Sequence, residues 1–323
     1  MAHEIHKHDN MFYFGSKPWH GLGVELDHAA TAAEAIAAAK LNWTVSKRPL
    51  YFEDRNMIET VPNRVIMVRD DIGYPLGVVS NRYSIIQNVE AFALCDSIVG
   101  EKLAAYHTAG SLFNGCKIWM LLKLPDHIRV NGGDDLVEKF LLLSNSHDGS
   151  LSLRVSITPI RVVCNNTLNA AIDNVNNQWS ITHKGNLEIK VSEIRDVIGL
   201  VNEFYAEFEA LCNHMVSKKL STDNIAEYFN RVFPMPVIED GDSDARIEKV
   251  EQMRENVLDL TFAGVGSNMN HGTMWSLYNG TTEYIDHVSK YRRPDTKLDN
   301  IWFGQGATLK TEAFRAASEL ALN

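Results

Sequence analysis

Three runs of sequence decide the fold: 117–124 KIWMLLKL, 136–145 LVEKFLLLSN and 151–158 LSLRVSIT. Each is a short stretch of bulky and β-branched residues bounded by turn residues, the pattern of a strand. In the third run Leu151, Leu153, Val155 and Ile157 alternate with Ser152, Arg154 and Ser156, so that strand has one polar face. SHDGS joins the second run to the third, and its Asp148-Gly149 pair is a hairpin signal; NGGDD at 131–135 joins the first two. Thr158-Pro159 then has the form of an N-cap followed by proline at the first helical position. This predicts a helix through IRVVCNNTLNAAI. From Lys117 to Ala171 the expected order is strand, strand, strand, helix.

The chain on either side extends an α+β reading. Thr31 and Glu34 make a capping-box pattern ahead of an alanine-rich run, which predicts a helix over about 31–40. WTVSKRPLYF, RVIMVRD and PLGVVS, separated by Pro, Gly and Asn, read as antiparallel strands of a small sheet. Val89, Phe92, Ala93, Ile98 and Leu103 recur near helical spacing and suggest a covering helix. The opening FYFGSKPWHGLGVEL has neither period and reads as an arm that packs onto something. A short hairpin is expected from Trp179 to Val191. Beyond it a stripe of Ile194, Val197, Ile198, Val201, Phe204, Tyr205, Phe208, Leu211, Cys212 and Met215 marks a long amphipathic helix. Helices over about 222–232, stopped before Pro234, and 245–260 follow. The reading is an α+β protein with antiparallel sheets and a mainly helical C-terminal part. It divides into an arm and short helix at 1–42, an α+β core at 43–192 and a helical region at 193–323.

Composition narrows the function classes. The 323 residues are 45% hydrophobic and 22% charged, enough to bury a substantial core. No apolar run reaches the roughly 20 residues that span a bilayer, and MAHEIHKHDN lacks a signal-peptide pattern, so a cytoplasmic protein with no membrane partner is expected. The four cysteines stand apart, which suits a reducing compartment. The net charge is −10. Residues 110–200 balance nine basic against nine acidic, whereas 201–260 hold six against thirteen, including Glu239, Asp240, Asp242 and Asp244. The acidity is therefore concentrated away from the central strands.

No pattern of a known catalyst is present. Ser146, His147 and Asp148 are adjacent, but a triad brings its members together from separate elements, and Asp-Gly is turn chemistry first. Glu283 and His287 lie four apart in TTEYIDHVSK, with Asp286 between them and Asn279 a turn earlier. That spacing suits metal ligands on one helix face, yet no further ligand converges in the sequence, so no metal is assigned. His3, His6 and His8 read as a terminus, and Cys164, flanked by apolar residues, reads as core. Gly264-x-Gly266 and Gly304-x-Gly306 lack the strand-then-helix setting of a phosphate loop and read as turns, so no cofactor is expected. What remains suits binding. Lys47, Arg48, Arg64, Arg82, Lys117, Lys123, Arg129, Arg154 and Arg161 are interleaved with Trp43, Tyr51, Tyr83, Tyr106, Phe113 and Trp119, a mix able to follow a phosphate backbone while bases stack.

PWHGLG at 18–23, NSHDGS at 145–150, TPIRVVCNNTLN at 158–169, GTMWSLYNGTTEYIDH at 272–287 and IWFGQGATLK at 301–310 together resemble the phage- and plasmid-borne proteins of domain-of-unknown-function family 932. The resemblance spans nearly the whole chain and implies a mobile element in a bacterial host; it supplies no catalytic mechanism. The strand-strand-strand-helix order is also similar to the core of the single-strand annealing proteins of phages, which oligomerise around single-stranded DNA. The leading expectation is a non-enzymatic homo-oligomer that anneals single strands. In it Lys117, Lys123, Arg154 and Arg161 contact phosphates, and Trp119 or Phe113 stacks on bases. The alternatives are an interaction protein acting on a host factor or defence system through the acidic 201–260 segment, and a metal-dependent hydrolase using Glu283, Asp286 and His287.

Overall fold

The computed structural model describes residues 8–15, 23–99, 104–164, 166–168, 178–181, 187–237, 244–291, 293 and 296–323. In chain order the elements are β1 (Met11–Phe14), β2 (Val24–Leu26), α1 (Ala32–Ala38), β3 (Val45–Asp54), β4 (Met57–Arg69), β5 (Tyr74–Ser80), α2 (Asn88–Val99), β6 (Ala105–Leu112), β7 (Lys117–Arg129), β8 (Leu136–Ser146), β9 (Leu153–Ile157), β10 (Ile160–Arg161), β11 (Asn166–Thr167) and β12 (Gln178–Ile181). The helices α3 (Leu187–Ser217), α4 (Thr222–Val232), α5 (Ala245–Ala263), α6 (Met274–Glu283), α7 (Lys297–Phe303) and α8 (Gln305–Leu322) complete the chain. The class is α+β, with mostly antiparallel sheets followed by helices. Among the described residues no helix is long and apolar enough to cross a membrane.

The chain forms two compact units. The first takes in Met1–Pro125, Phe140–Ile157 and Gln178–Gly199; the second takes in Asp126–Lys139, Thr158–Asn177 and Leu200–Asn323. In the first unit the expected elements form for the expected reasons. Thr31 accepts from the Glu34 amide while the Glu34 carboxylate accepts from the Thr31 amide, so α1 opens with a complete capping box. β3, β4 and β5 make a separate antiparallel sheet, and Arg55 and Asn56, both at positive φ, form the two-residue turn between its first two strands. The other sheet runs through β1, β6, β7, β8 and β9, all paired antiparallel, with β2 parallel to β1 at the edge and β12 on β9. β7 and β8 are buried on both faces over Ile118–Leu122 and Phe140–Ser146, whereas β9 keeps the alternation read from its sequence. α2 covers part of this sheet. The Tyr106 hydroxyl donates to the Phe92 carbonyl at 3.0 Å, and Cys95 Sγ meets Met120 Sδ at 3.8 Å.

Two sequence expectations are corrected. No helix follows the third strand among the described residues of 160–168. Ile160 and Arg161 stay extended as β10, paired with Glu138 and Val137 of β8, and after a turn at Val162–Cys164 the chain returns as β11. Proline holds its predecessor in the extended region, and the β-branched Val162 and Val163 resist helix; pairing to β8 outweighs the capping signal. The second correction concerns 179–191. Trp179 belongs to β12, whose partner is β9, and Leu187–Val191 is already the start of α3.

In the second unit every residue of α6 is buried. Phe208, Tyr278 and Phe314 pack at its side, with Phe208 stacked on Phe314 at 5.4 Å and Tyr278 edge-on to Phe314 at the same distance. Because α6 is rich in Asn, Thr and Ser, most of its polar side chains find partners inside; Tyr228 Oη and Thr281 Oγ1 lie 2.7 Å apart. α5 crosses α6 at Gly280, where an added Cβ would stand 2.7 Å from Thr261 Oγ1 and 2.9 Å from the Val257 carbonyl. Since one of those neighbours is backbone, Gly280→Ala is expected to lower stability by about 1–3 kcal/mol through overpacking. A urea midpoint unchanged from wild type would contradict this.

Candidate functional site

Three sequence stretches, 158–169, 272–287 and 301–310, meet in the second unit as a set of buried polar groups. The first group centres on Asp135 and Arg161. Asp135 Oδ1 accepts from Arg161 Nε at 2.7 Å and Oδ2 from a terminal guanidinium nitrogen at 2.8 Å, a bidentate pair with both side chains almost fully buried. Oδ2 also accepts from Trp275 Nε1 and Asn270 Nδ2, each at 2.9 Å. The guanidinium spends its other donors on the Gly266 and Val265 carbonyls at 3.0 and 3.5 Å. Burial works against its charge, but the Asp135 hydrogen bonds and charge overcome this and hold its pKa above the ordinary value.

The second group lies where α6 runs into a π-helical turn, Tyr284–Val288. Asp286 Oδ2 accepts from the backbone amide and hydroxyl of Thr167, both at 2.8 Å, and Oδ1 accepts from Lys310 Nζ at 2.8 Å. Lys310 Nζ also donates to Thr167 Oγ1. Complete burial lowers the Lys310 pKa, and Asp286 opposes that shift. His287 Nε2 lies 2.9 Å from Asn166 Oδ1 and 3.1 Å from the Cys164 carbonyl. Asn166 Nδ2 donates to Thr282 Oγ1 at 3.1 Å, which turns its oxygen toward the histidine, so Nε2 carries the proton. Glu283 is placed differently, both its oxygens receiving the Val265 amide at 3.1 and 3.2 Å.

The three residues whose spacing suits metal ligands turn to different partners. Glu283, Asp286 and His287 engage Val265, Lys310 and Asn166 respectively, and among the described residues no three His, Cys, Asp or Glu side chains gather. Each charged member of the set is held by hydrogen bonds, and the cations are matched to carboxylates. Cys164 is buried and burial raises its thiol pKa to about 11, which agrees with core and not with a nucleophile.

Burial is also the main cause of the lowered pKa of His287. The unfolded chain takes up this proton first as the pH drops below about 6.5, so stability is lost on acidification through that region. Wild-type Tm is therefore expected to fall more steeply from pH 7 to pH 5 than that of His287→Gln; parallel pH profiles would show that His287 does not titrate this way.

The residues expected to bind nucleic acid do not form one exposed patch. Lys117, Trp119 and Lys123 sit on β7 and Arg154 on β9, while Phe113 lies in the turn before β7 with Lys117 Nζ 5.5 Å from its ring centre. Trp119 is 2% exposed and Arg161 is locked to Asp135, so neither side chain is presented to a ligand; Lys117, Lys123, Phe113 and Arg154 are half-buried. Ser146 ends β8 and His147-Asp148 begin the bend that follows, with Gly149 at positive φ and His147 Nε2 buried 2.9 Å from Asn88 Oδ1. Glu239, Asp240 and Asp242 lie outside the described residues. Asp135, Asn166, Thr167, Trp275 and Lys310 escaped the sequence reading. A lysine on the inward stripe of α8, in step with Gly306, Ala313, Phe314 and Ala317, was the available signal for Lys310.

No curated protein and no solved structure matches the chain. A family model described as Domain of unknown function (DUF932) matches residues 75–302, which takes in β8, the π-helical turn, Asp135, Arg161 and Asp286. Since that match covers well over half of its residues, the chain belongs to this family.

Proposed function

We propose that the protein binds single-stranded nucleic acid without catalysing a reaction, and that it uses the β3–β4–β5 sheet to do so. The supporting observation is the exposure of this sheet. Tyr51 is 57% and Ile58 75% exposed, with Phe52 and Met57 also in solvent, beside exposed Arg48, Arg55 and Arg64. A hairpin that leaves apolar and aromatic side chains in water needs a partner, and aromatic faces flanked by arginines suit unpaired bases and their phosphates. Between Lys47 and Arg82 six basic residues stand against five acidic, in a chain whose net charge is −10. Two of those acids are already engaged, Asp70 with Ser46 and Arg48 and Asp71 with Arg69. The buried groups of the second unit then serve as framework, their charges matched internally. Under this reading the chain works as a homo-oligomer that promotes annealing for a phage or plasmid in the bacterial cytoplasm.

Fluorescence anisotropy with a labelled oligonucleotide tests it. Binding at 50 mM salt is expected to weaken steeply toward 200 mM, and Arg48→Glu with Arg64→Glu is expected to weaken it at least about tenfold while leaving the urea midpoint near wild type. Folded protein that fails to bind at low salt would sink the proposal. Mass measurement with and without oligonucleotide tests assembly.

A further inference from the structure

A small cleft opens in the second unit among Arg161, Trp275, Ser276, Asn279, Gly280 and Glu283. Its hydrogen-bond inventory is one-sided. The side-chain donor groups around it each have an acceptor: Arg161 bonds Asp135 and the Gly266 carbonyl, Trp275 Nε1 and Asn270 Nδ2 bond Asp135, Ser276 Oγ bonds the Thr273 carbonyl, and Ser267 Oγ bonds the Phe262 carbonyl. The acceptors are not. Asn279 is 3% exposed, and its Oδ1 accepts no hydrogen bond among the described residues. Its orientation is fixed, because Nδ2 donates to the Trp275 carbonyl at 2.8 Å. Among the described residues Glu283 receives only the bonds shared from the Val265 amide, at 3.1 and 3.2 Å.

Charge points the same way. Arg161 is neutralised by Asp135, so Glu283 is the carboxylate at the cleft without an ion-pair partner within 4.0 Å among the described residues. Burial raises its pKa, and the Val265 amide and the charge of Arg161 only partly offset that shift. A buried acceptor left unsatisfied is unfavourable, and a ligand that supplies donors and positive charge removes that penalty.

We infer that this cleft recognises a primary alkylammonium group, whose N–H donors meet Asn279 Oδ1 and the Glu283 carboxylate while its carbon chain leaves through the opening. Leu260 and Val265 line the cleft beside that path. A free amine and a lysine side chain share this chemistry. The cleft uses residues of the second unit and the proposed nucleic-acid surface uses residues of the first, so either reading can fail alone.

The full chain is titrated at pH 8 and constant ionic strength with methylammonium, tetramethylammonium and potassium chlorides, reading Tm and heat of binding. Methylammonium is expected to raise Tm saturably, and tetramethylammonium, which has no N–H, and potassium are expected not to. Glu283→Gln is expected to weaken methylammonium binding at least tenfold. Equal responses to methylammonium and tetramethylammonium, no saturable response at all, or unchanged affinity in a folded Glu283→Gln would each overturn the inference. Should that variant not fold, the wild-type contrast between the salts decides alone. Spermidine and N-acetyl-lysine methylamide then separate a free polyamine from a lysine side chain.

Discussion

Arg161→Ala is expected to destabilise the protein by about 3–5 kcal/mol, because it strands the Asp135 carboxylate in the interior. Two neutral donors, Trp275 Nε1 and Asn270 Nδ2, stay on that carboxylate, but neither carries charge. Arg161→Lys is expected to recover only part of the loss. A lysine ammonium replaces the charge but not the planar fork that meets both oxygens at 2.7 and 2.8 Å. Urea unfolding measures both variants, and a midpoint for Arg161→Ala within error of wild type would contradict the buried pair. The same experiment separates two roles for this residue. A phosphate-binding arginine on the surface would leave the midpoint alone and weaken oligonucleotide binding, whereas the ion-paired arginine does the reverse.

Lys310→Met is expected to have an effect of similar size, about 3–5 kcal/mol, for the same reason: Asp286, almost fully buried, loses the cation paired with it among the described residues. The methionine fills much of the lysine volume, so the loss reports charge and not a cavity. Adding Asp286→Asn to Lys310→Met is expected to restore part of the stability, since the neutral amide still accepts from Thr167 through its oxygen. Thermal or urea unfolding of the two singles and the double forms a cycle. Additive losses would mean the two residues do not act as a pair.

These two pairs also show why the site was hard to read. Asp135 and Arg161 are 26 residues apart, and Lys310 and Thr167 are separated by 143. Nothing local in NGGDD distinguishes Asp135 from the solvated acids of any turn. Arg161 on a stretch expected to be helical offered itself as a surface cation. Its fate depended on β10 pairing with β8, which brings its strand alongside Val137, two residues from Asp135. The three stretches that carried the family resemblance did mark the neighbourhood, but not which atoms meet.

By itself the sequence determined those elements whose signals are local. The capping box of α1, the hydrophobic stripe of α3, the alternation of β9 and the Asp148-Gly149 turn each depend on residues within a few positions of one another, where side-chain spacing and backbone preference act directly. Tertiary structure decided the rest. β6 is built from Ala105–Leu112, a stretch of small and polar residues with little strand pattern, and it becomes a strand because β1 and β7 supply its hydrogen bonds on either side. The extended path past Pro159 and the partners of every buried charge were settled in the same way. A backbone amide or an ionised side chain removed from water must find a partner, and only the folded chain determines which groups are within reach.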